Sequence, residues 1–165
     1  MNQHNGTVKM PKWGYSITEI DPEKTVKASG RELRVSSKHA REVCKTIKGM
    51  KLDQAKEYLR QVIAKKKPVP LRRYKKKVGH RHGMEKAFAG RYPVKAAQKI
   101  LKVLEGAEAN AEYKGLDLER LRIIHASAYP GMKIRRYIER AFGRASPHVE
   151  TLCHIELVLE EIEGT

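Results

Sequence analysis

Apolar residues in this chain recur with two periods, and the change of period divides it into elements. From Val149 to Leu159, Cys153, Ile155, Leu157 and Leu159 alternate with His154 and Glu156, and Glu160 continues the polar set. This is the period-2 pattern of a half-buried strand. An earlier run, Leu121 to Tyr129, reads as a second strand. Upstream the period lengthens to that of helices. Ala40, Val43, Cys44 and Ile47 follow the N-cap candidates Ser36 and Ser37 and stop before Gly49. Leu52, Ala55, Leu59, Val62 and Ile63 form a second stripe, closed by Pro68. Val94, Ala97, Ile100, Leu101, Leu104, Ala107 and Ala111 form the third, with Pro93 at its first position and Tyr113-Lys114-Gly115-Leu116-Asp117 at its end. Each spacing puts the apolar side chains on one helix face, punctuated by the residues that start and stop helices. The first two helices are expected to pack as a hairpin and the third to be central to the core. Thr25 to Val35 alternates loosely and predicts a short strand interrupted at Gly30 by a bulge or bend.

The two C-terminal runs flank a segment, 130 to 147, that has no means of burying itself. Lys133, Arg135, Arg136, Arg140 and Arg144 face Glu139 alone there. If the chain reverses near Tyr137, each arm is on the order of 18 residues and reaches roughly 60 Å at about 3.3 Å per strand residue. Two-stranded ribbons are marginally stable in water, so order along such a length requires a polyanionic surround.

Charge sharpens this expectation. The 165 residues carry 35 Lys and Arg against 19 Asp and Glu, a formal net charge of +16. Self-repulsion of that size disfavours a compact state unless a partner neutralises it. The excess concentrates between residues 65 and 91, where Lys65, Lys66, Lys67, Arg72, Arg73, Lys75, Lys76, Lys77, Arg81, Lys86 and Arg91 oppose only Glu85. Pro68, Pro70, Gly79, Gly83 and Gly90 are expected to prevent regular structure in this loop. Tyr74 and Phe88 among the cations supply the stacking surfaces of an RNA-binding loop rather than a merely solvated charge run, and His80 and His82 are counted among that loop's rRNA-binding residues. Cations gathered in loops favour nucleic acid over an anionic membrane.

Residues 1–24 read as an N-terminal extension, extended or disordered, with Trp13 and Tyr15 as possible anchors. They contain no signal-peptide core, and no apolar run reaches the ~18 residues of a membrane span, so a cytoplasmic location is expected. Cys44 and Cys153 sit inside apolar patterns, as small buried hydrophobes rather than a disulfide.

Candidate chemistry is sparse. His80-Arg81-His82 lacks a Cys pair or carboxylate at ligand spacing, no glycine-rich phosphate loop follows a strand, and no nucleophile signature stands out. The carboxylates Glu156, Glu160, Glu161 and Glu163 crowd the C-terminus without a cleft between them. No enzyme activity, cofactor or metal is expected. A metal-dependent nuclease organised on His80 and His82 and a free-standing RNA-binding or RNA-annealing module are the competing readings.

Several local strings coincide with one known family. Val35-Ser36-Ser37-Lys38-His39-Ala40-Arg41 followed by Ile47-Lys48-Gly49, the helix with Lys102-Val103-Leu104 and Ala107-Glu108-Ala109-Asn110-Ala111, and Arg140-Ala141-Phe142-Gly143-Arg144-Ala145 resemble the large-subunit ribosomal protein number twenty-two family. The likeness covers roughly residues 25 to 161. Bacterial members join the second and third helices more directly, so the basic insertion at 65–92 and the N-terminal arm resemble the archaeal and eukaryotic branch. The resemblance implies an α+β domain over residues 25–165, with three helices packed on a small antiparallel sheet and a long protruding β-hairpin at 119–161. It further implies a structural constituent of the large ribosomal subunit that binds 23S rRNA, supports assembly and lines the polypeptide exit tunnel. Its partners would be rRNA, other large-subunit proteins and the nascent polypeptide, with no membrane and no homo-oligomer. Lys133, Arg140, Gly143 and Arg144 would join the basic loop in binding rRNA. Arg135, Arg136, Tyr137, Ile138 and Glu139 would form a tunnel-facing tip.

Overall fold

The computed structural model describes residues 14–84 and 87–162. The expectations for Trp13, Glu85, Lys86 and Glu163 lie outside them. In chain order come β1 (Thr25–Leu33), α1 (Ser37–Ile47), α2 (Leu52–Ile63), the two-residue strands β2 (Val69–Pro70) and β3 (Gly90–Arg91), α3 (Val94–Lys114), β4 (Leu121–Glu139) and β5 (Ala145–Glu161). A single 3-10 turn at Leu118–Arg120 precedes β4. The main sheet is antiparallel in the order β1-β5-β4. The fold is thus α+β, three helices on a small sheet from which a long hairpin extends.

The helical stripes build the core. Ile47, Leu52, Leu59, Ile100 and Leu104 meet Leu121, Ile123, Ile155, Leu157 and Leu159, all fully buried. Burying each such side chain contributes about 1.5–3 kcal/mol. Lys56 forms an ion pair with Glu108, joining α2 to α3. Gly115, in the left-handed region at φ +74, terminates α3.

Four expectations need correction. First, β5 is not half-buried, because every residue from Leu152 to Leu159 is buried. Cys153, Ile155, Leu157 and Leu159 join the helical core, while the opposite face is covered from elsewhere. There the backbone N–H and Oγ of Ser16 both donate to Glu156 Oε2 at 3.1 Å, Tyr129 donates to the same oxygen at 3.2 Å, and Arg31 pairs with Oε1 at 3.5 Å. The arm thus lies across the sheet, with Tyr15 beneath Lys27 and Arg31 at 5.7 and 6.0 Å.

Second, α1 and α2 do not pack as a hairpin. Their connection runs along β4, where Gly49 N–H donates to Ile123 O at 2.8 Å and Ile123 N–H donates to Met50 O at 3.0 Å. Held there, it directs α1 onto the sheet and α2 onto α3. Third, the chain reverses at residues 140–144 and not near Tyr137, since Tyr137 pairs with Pro147 and Glu139 with Ala145 inside the ladder. Fourth, the basic loop contains regular pairing, Val69 with Arg91 and Pro70 with Gly90. The sheet's predicted irregularity at Gly30 is present as a register shift between Gly30 and Leu33.

Candidate nucleic-acid interface

The basic loop projects from a stapled base. Val69, Leu71 and Ala89 are buried, and Leu71 N–H donates to Ala89 O at 2.9 Å. Glu42 on α1, only 5% exposed, accepts the Arg72 N–H at 3.0 Å. A buried carboxylate needs such partners. Farther out, His80 bridges to Ala89 and Arg81 N–H donates to Phe88 O at 2.9 Å. The apolar residues Val69, Leu71 and Ala89 turn inward at the base, and the charged ones project outward. Lys65, Lys66, Lys67, Arg72, Arg73, Tyr74, Lys75, Lys76, Lys77, His80, Arg81, His82 and Arg91 are all exposed.

Aromatic rings are interleaved with these cations. Lys38 and Arg73 lie 5.2 and 5.4 Å from the Tyr74 ring, and Lys75 lies 5.4 Å from Phe88, which also meets His80 edge-on at 5.0 Å. Arg81 stands 5.7 Å from Tyr92. Such contacts hold a guanidinium or ammonium in place at about 0.5–1 kcal/mol each. Tyr74 and Phe88 keep about half their surface open, at 57% and 51%. His39, beside this region, titrates below its ordinary value because it is partly buried and because Arg91 is near.

The hairpin forms the second projection. Its strands are 19 and 17 residues long, and at about 3.3 Å per residue β4 spans roughly 60 Å. Beyond a second bulge between Pro130 and Lys133, Lys133, Arg135, Arg136, Tyr137, Ile138 and Glu139 are all exposed. Arg136 pairs with Glu150 across the ladder at 3.4 Å. At the end, Arg140 N–H donates to Arg144 O at 2.8 Å and Arg144 N–H donates to Ala141 O at 3.4 Å. Phe142 and Gly143 both have positive φ, +58 and +66, the signature of a type I′ turn. Gly143 suits that conformation and Phe142 does not. The turn leaves Phe142 97% exposed, flanked by Arg140 and Arg144.

The loop and the hairpin end are therefore two separate cationic surfaces. Arg140, Gly143 and Arg144 lie at the turn, whereas Arg135, Arg136, Tyr137, Ile138 and Glu139, expected at the tip, are paired within β4 before it. Sequence reasoning missed Lys38, Tyr92 and Phe142. Lys38 and Tyr92 take part only through tertiary proximity to Tyr74 and Arg81. Phe142 could have been found, because it is an aromatic with no apolar neighbour pattern in a run of arginines.

Exposed cations are thus carried on two anchored projections and interleaved with open aromatic rings. Among the described residues no group of three or more His, Cys, Asp or Glu could hold a metal ion, and no helix is long and apolar enough to cross a membrane. Residues 28–160 match the family described as Ribosomal protein L22p/L17e. The chain is 58% identical over 158 residues to the large ribosomal subunit protein uL22 of Methanopyrus kandleri, covering 92% of this chain and 99% of that protein. It is 55% identical to the protein of the same name from Methanocaldococcus jannaschii (93% and 98% covered) and 50% identical to that of Archaeoglobus fulgidus (92% and 97%). The chain belongs to the Ribosomal protein L22p/L17e family.

Proposed function

We propose that this protein is a structural component of the large ribosomal subunit that binds 23S rRNA through its basic loop and hairpin, supports assembly, and lines the polypeptide exit tunnel with the hairpin's distal end. Family membership supports the ribosomal role. The observation that carries the finer reading is the exposure of the distal ladder, where cations and apolar side chains alike, Lys133, Arg135, Tyr137 and Ile138 among them, lack cover from their own chain. A two-stranded ribbon without a packed face is marginal in water, so RNA on its flanks explains why such a length is retained. Lys and Arg on phosphates release counterions and supply affinity, while Arg also clamps phosphate bidentately or stacks on unpaired bases. Other large-subunit proteins and the nascent polypeptide would be its further neighbours.

Sedimentation of a cell lysate tests the reading. The protein should travel with large subunits and leave them only at high salt. Recovery solely in the low-mass soluble fraction overturns it, and binding of short RNAs without shape preference would favour a free-standing RNA-binding module.

A further inference from the structure

Between the two cationic projections lies an open cleft of about 600 Å³, bounded by the segment after β1, the starts of α1 and α3, and the N-terminal part of β5. That volume falls within the roughly 300–1,000 Å³ of small-ligand sites. Its walls carry Arg34, His39, Lys95 and His148, contributed by four separate segments. Arg34, Lys95 and His148 are exposed and therefore free to meet an anion. Its apolar lining includes Val35, buried, and Val149, half exposed, and Tyr92 also lines it. The acid in the lining, Glu150, is engaged by Arg136 at 3.4 Å.

A duplex backbone requires only a cationic surface, which the loop already provides. This place differs in being concave, with an apolar lining, an aromatic ring and a basic rim. Single-stranded RNA is recognised by such a combination, because an unstacked base finds an apolar and aromatic seat while its phosphate meets the cations.

We propose that this cleft seats one unpaired rRNA nucleotide, its base against Val35, Val149 and Tyr92 and its phosphate on Arg34 and Lys95. The inference rests on the rRNA-binding reading above and assigns that reading a definite RNA feature at the root of the hairpin. His39 and His148 present ring nitrogens to the base edge or the sugar. The seat joins residues of α1, α3 and β5, so its filling would fix the hairpin's direction relative to the helical base.

The test uses the full chain and transcribed large-subunit rRNA, with base-modification probing at single-nucleotide resolution. Two cleft variants, Arg34→Ala/Lys95→Ala and Val149→Trp, are compared with a loop variant, Arg72→Ala/Arg73→Ala. Wild type should protect one unpaired base that both cleft variants expose, with roughly tenfold weaker binding, the loss of about one stacked base. The loop variant should keep that protection. Retention of every wild-type protection in both cleft variants, or losses confined to paired segments, overturns the proposal while leaving rRNA binding intact. Absence of any wild-type protection overturns the rRNA-binding reading and this inference with it. Should circular dichroism show Val149→Trp to be misfolded, the double alanine variant decides alone, since both its positions are exposed.

Discussion

Gly131 on β4 lies against the His154 ring on β5, and a Cβ placed on Gly131 would stand 2.7 Å from its Nε2. The imidazole cannot simply move aside. It is 7% exposed, and its Nδ1 accepts the Glu32 N–H at 3.1 Å. Glu32 belongs to the β1 bulge and has φ +50, whereas Gly131 sits in the β4 bulge between Pro130 and Lys133. One ring therefore links two irregularities across the central strand, at the level where the hairpin leaves the sheet. Gly131→Ala is expected to destabilise the protein by about 1–3 kcal/mol, the cost of displacing a buried hydrogen-bonded group. Urea unfolding should show a lower midpoint at unchanged slope, and a wild-type midpoint would refute the packing argument.

At the far end of the same hairpin, Phe142 holds φ +58 with its side chain almost wholly in solvent. Strain of that kind costs on the order of 1–2 kcal/mol for an L-residue, and no packing of the ring within the chain offsets it. Phe142→Asn places the favoured Asn-Gly pair in the turn. Hydrogen exchange at the Arg140 and Arg144 amides should slow several-fold in that variant, whereas Phe142→Ala should leave the strain in place. Equal exchange in both variants would show that the backbone is not strained there.

What the sequence made legible follows from how local each cause is. The α3 stripe from Val94 to Ala111 and its Gly115 stop were readable because periodicity and a left-handed terminator act within a few residues. The burial of Glu156 was not, since its partners Ser16, Arg31 and Tyr129 come from three other parts of the chain. An alternating strand looks half-exposed until its cover is known. Likewise, nothing around Gly49 signals that it and Met50 will pair with Ile123, and that pairing separates α1 from α2. The site showed the same division. Its cations were visible as composition, but Glu42, which fixes the loop's base through the Arg72 N–H, belongs to the face of a helix that reads as ordinary. The turn at Phe142-Gly143 carried a signal in Gly143, outweighed by placing the reversal at the midpoint of the basic run.

Both cysteines make stability depend on alkaline pH. Burial pushes the Cys44 thiol from 9.0 up to about 12, and neighbouring Cys153 adds to the shift. Burial pushes Cys153 from 9.0 up to about 11. An unfolded chain releases these protons above its ordinary thiol value, while the folded chain retains them, so the unfolded state binds fewer protons in that window. Stability consequently falls as pH rises from about 9 toward 11. Urea midpoints measured across this range should decline, and the decline should be shallower in Cys44→Ala/Cys153→Ala. Native protein should also resist iodoacetamide at pH 8 and react at both thiols once unfolded. Rapid alkylation of native protein would contradict the burial.

Salt dependence separates real phosphate contacts from solvated charge in the basic loop. Arg72 and Arg73 are exposed, and the anchor at this point is the Arg72 backbone N–H, which alanine preserves. Arg72→Ala/Arg73→Ala should therefore leave the loop base stapled and remove only guanidinium groups. If both touch phosphate, the slope of log affinity against log salt should shrink by about 0.9 per lost duplex contact or about 0.7 per single-stranded one. At fixed salt, Arg140→Ala and Arg144→Ala at the hairpin end should each weaken rRNA binding by about 1–3 kcal/mol, the usual worth of a hydrogen bond to a charged group. Filter binding to transcribed large-subunit rRNA between 50 and 200 mM salt, the range over which such slopes are read, checks both. An unchanged slope together with unchanged affinity would mean that these arginines serve solubility and that the RNA lies elsewhere on the protein.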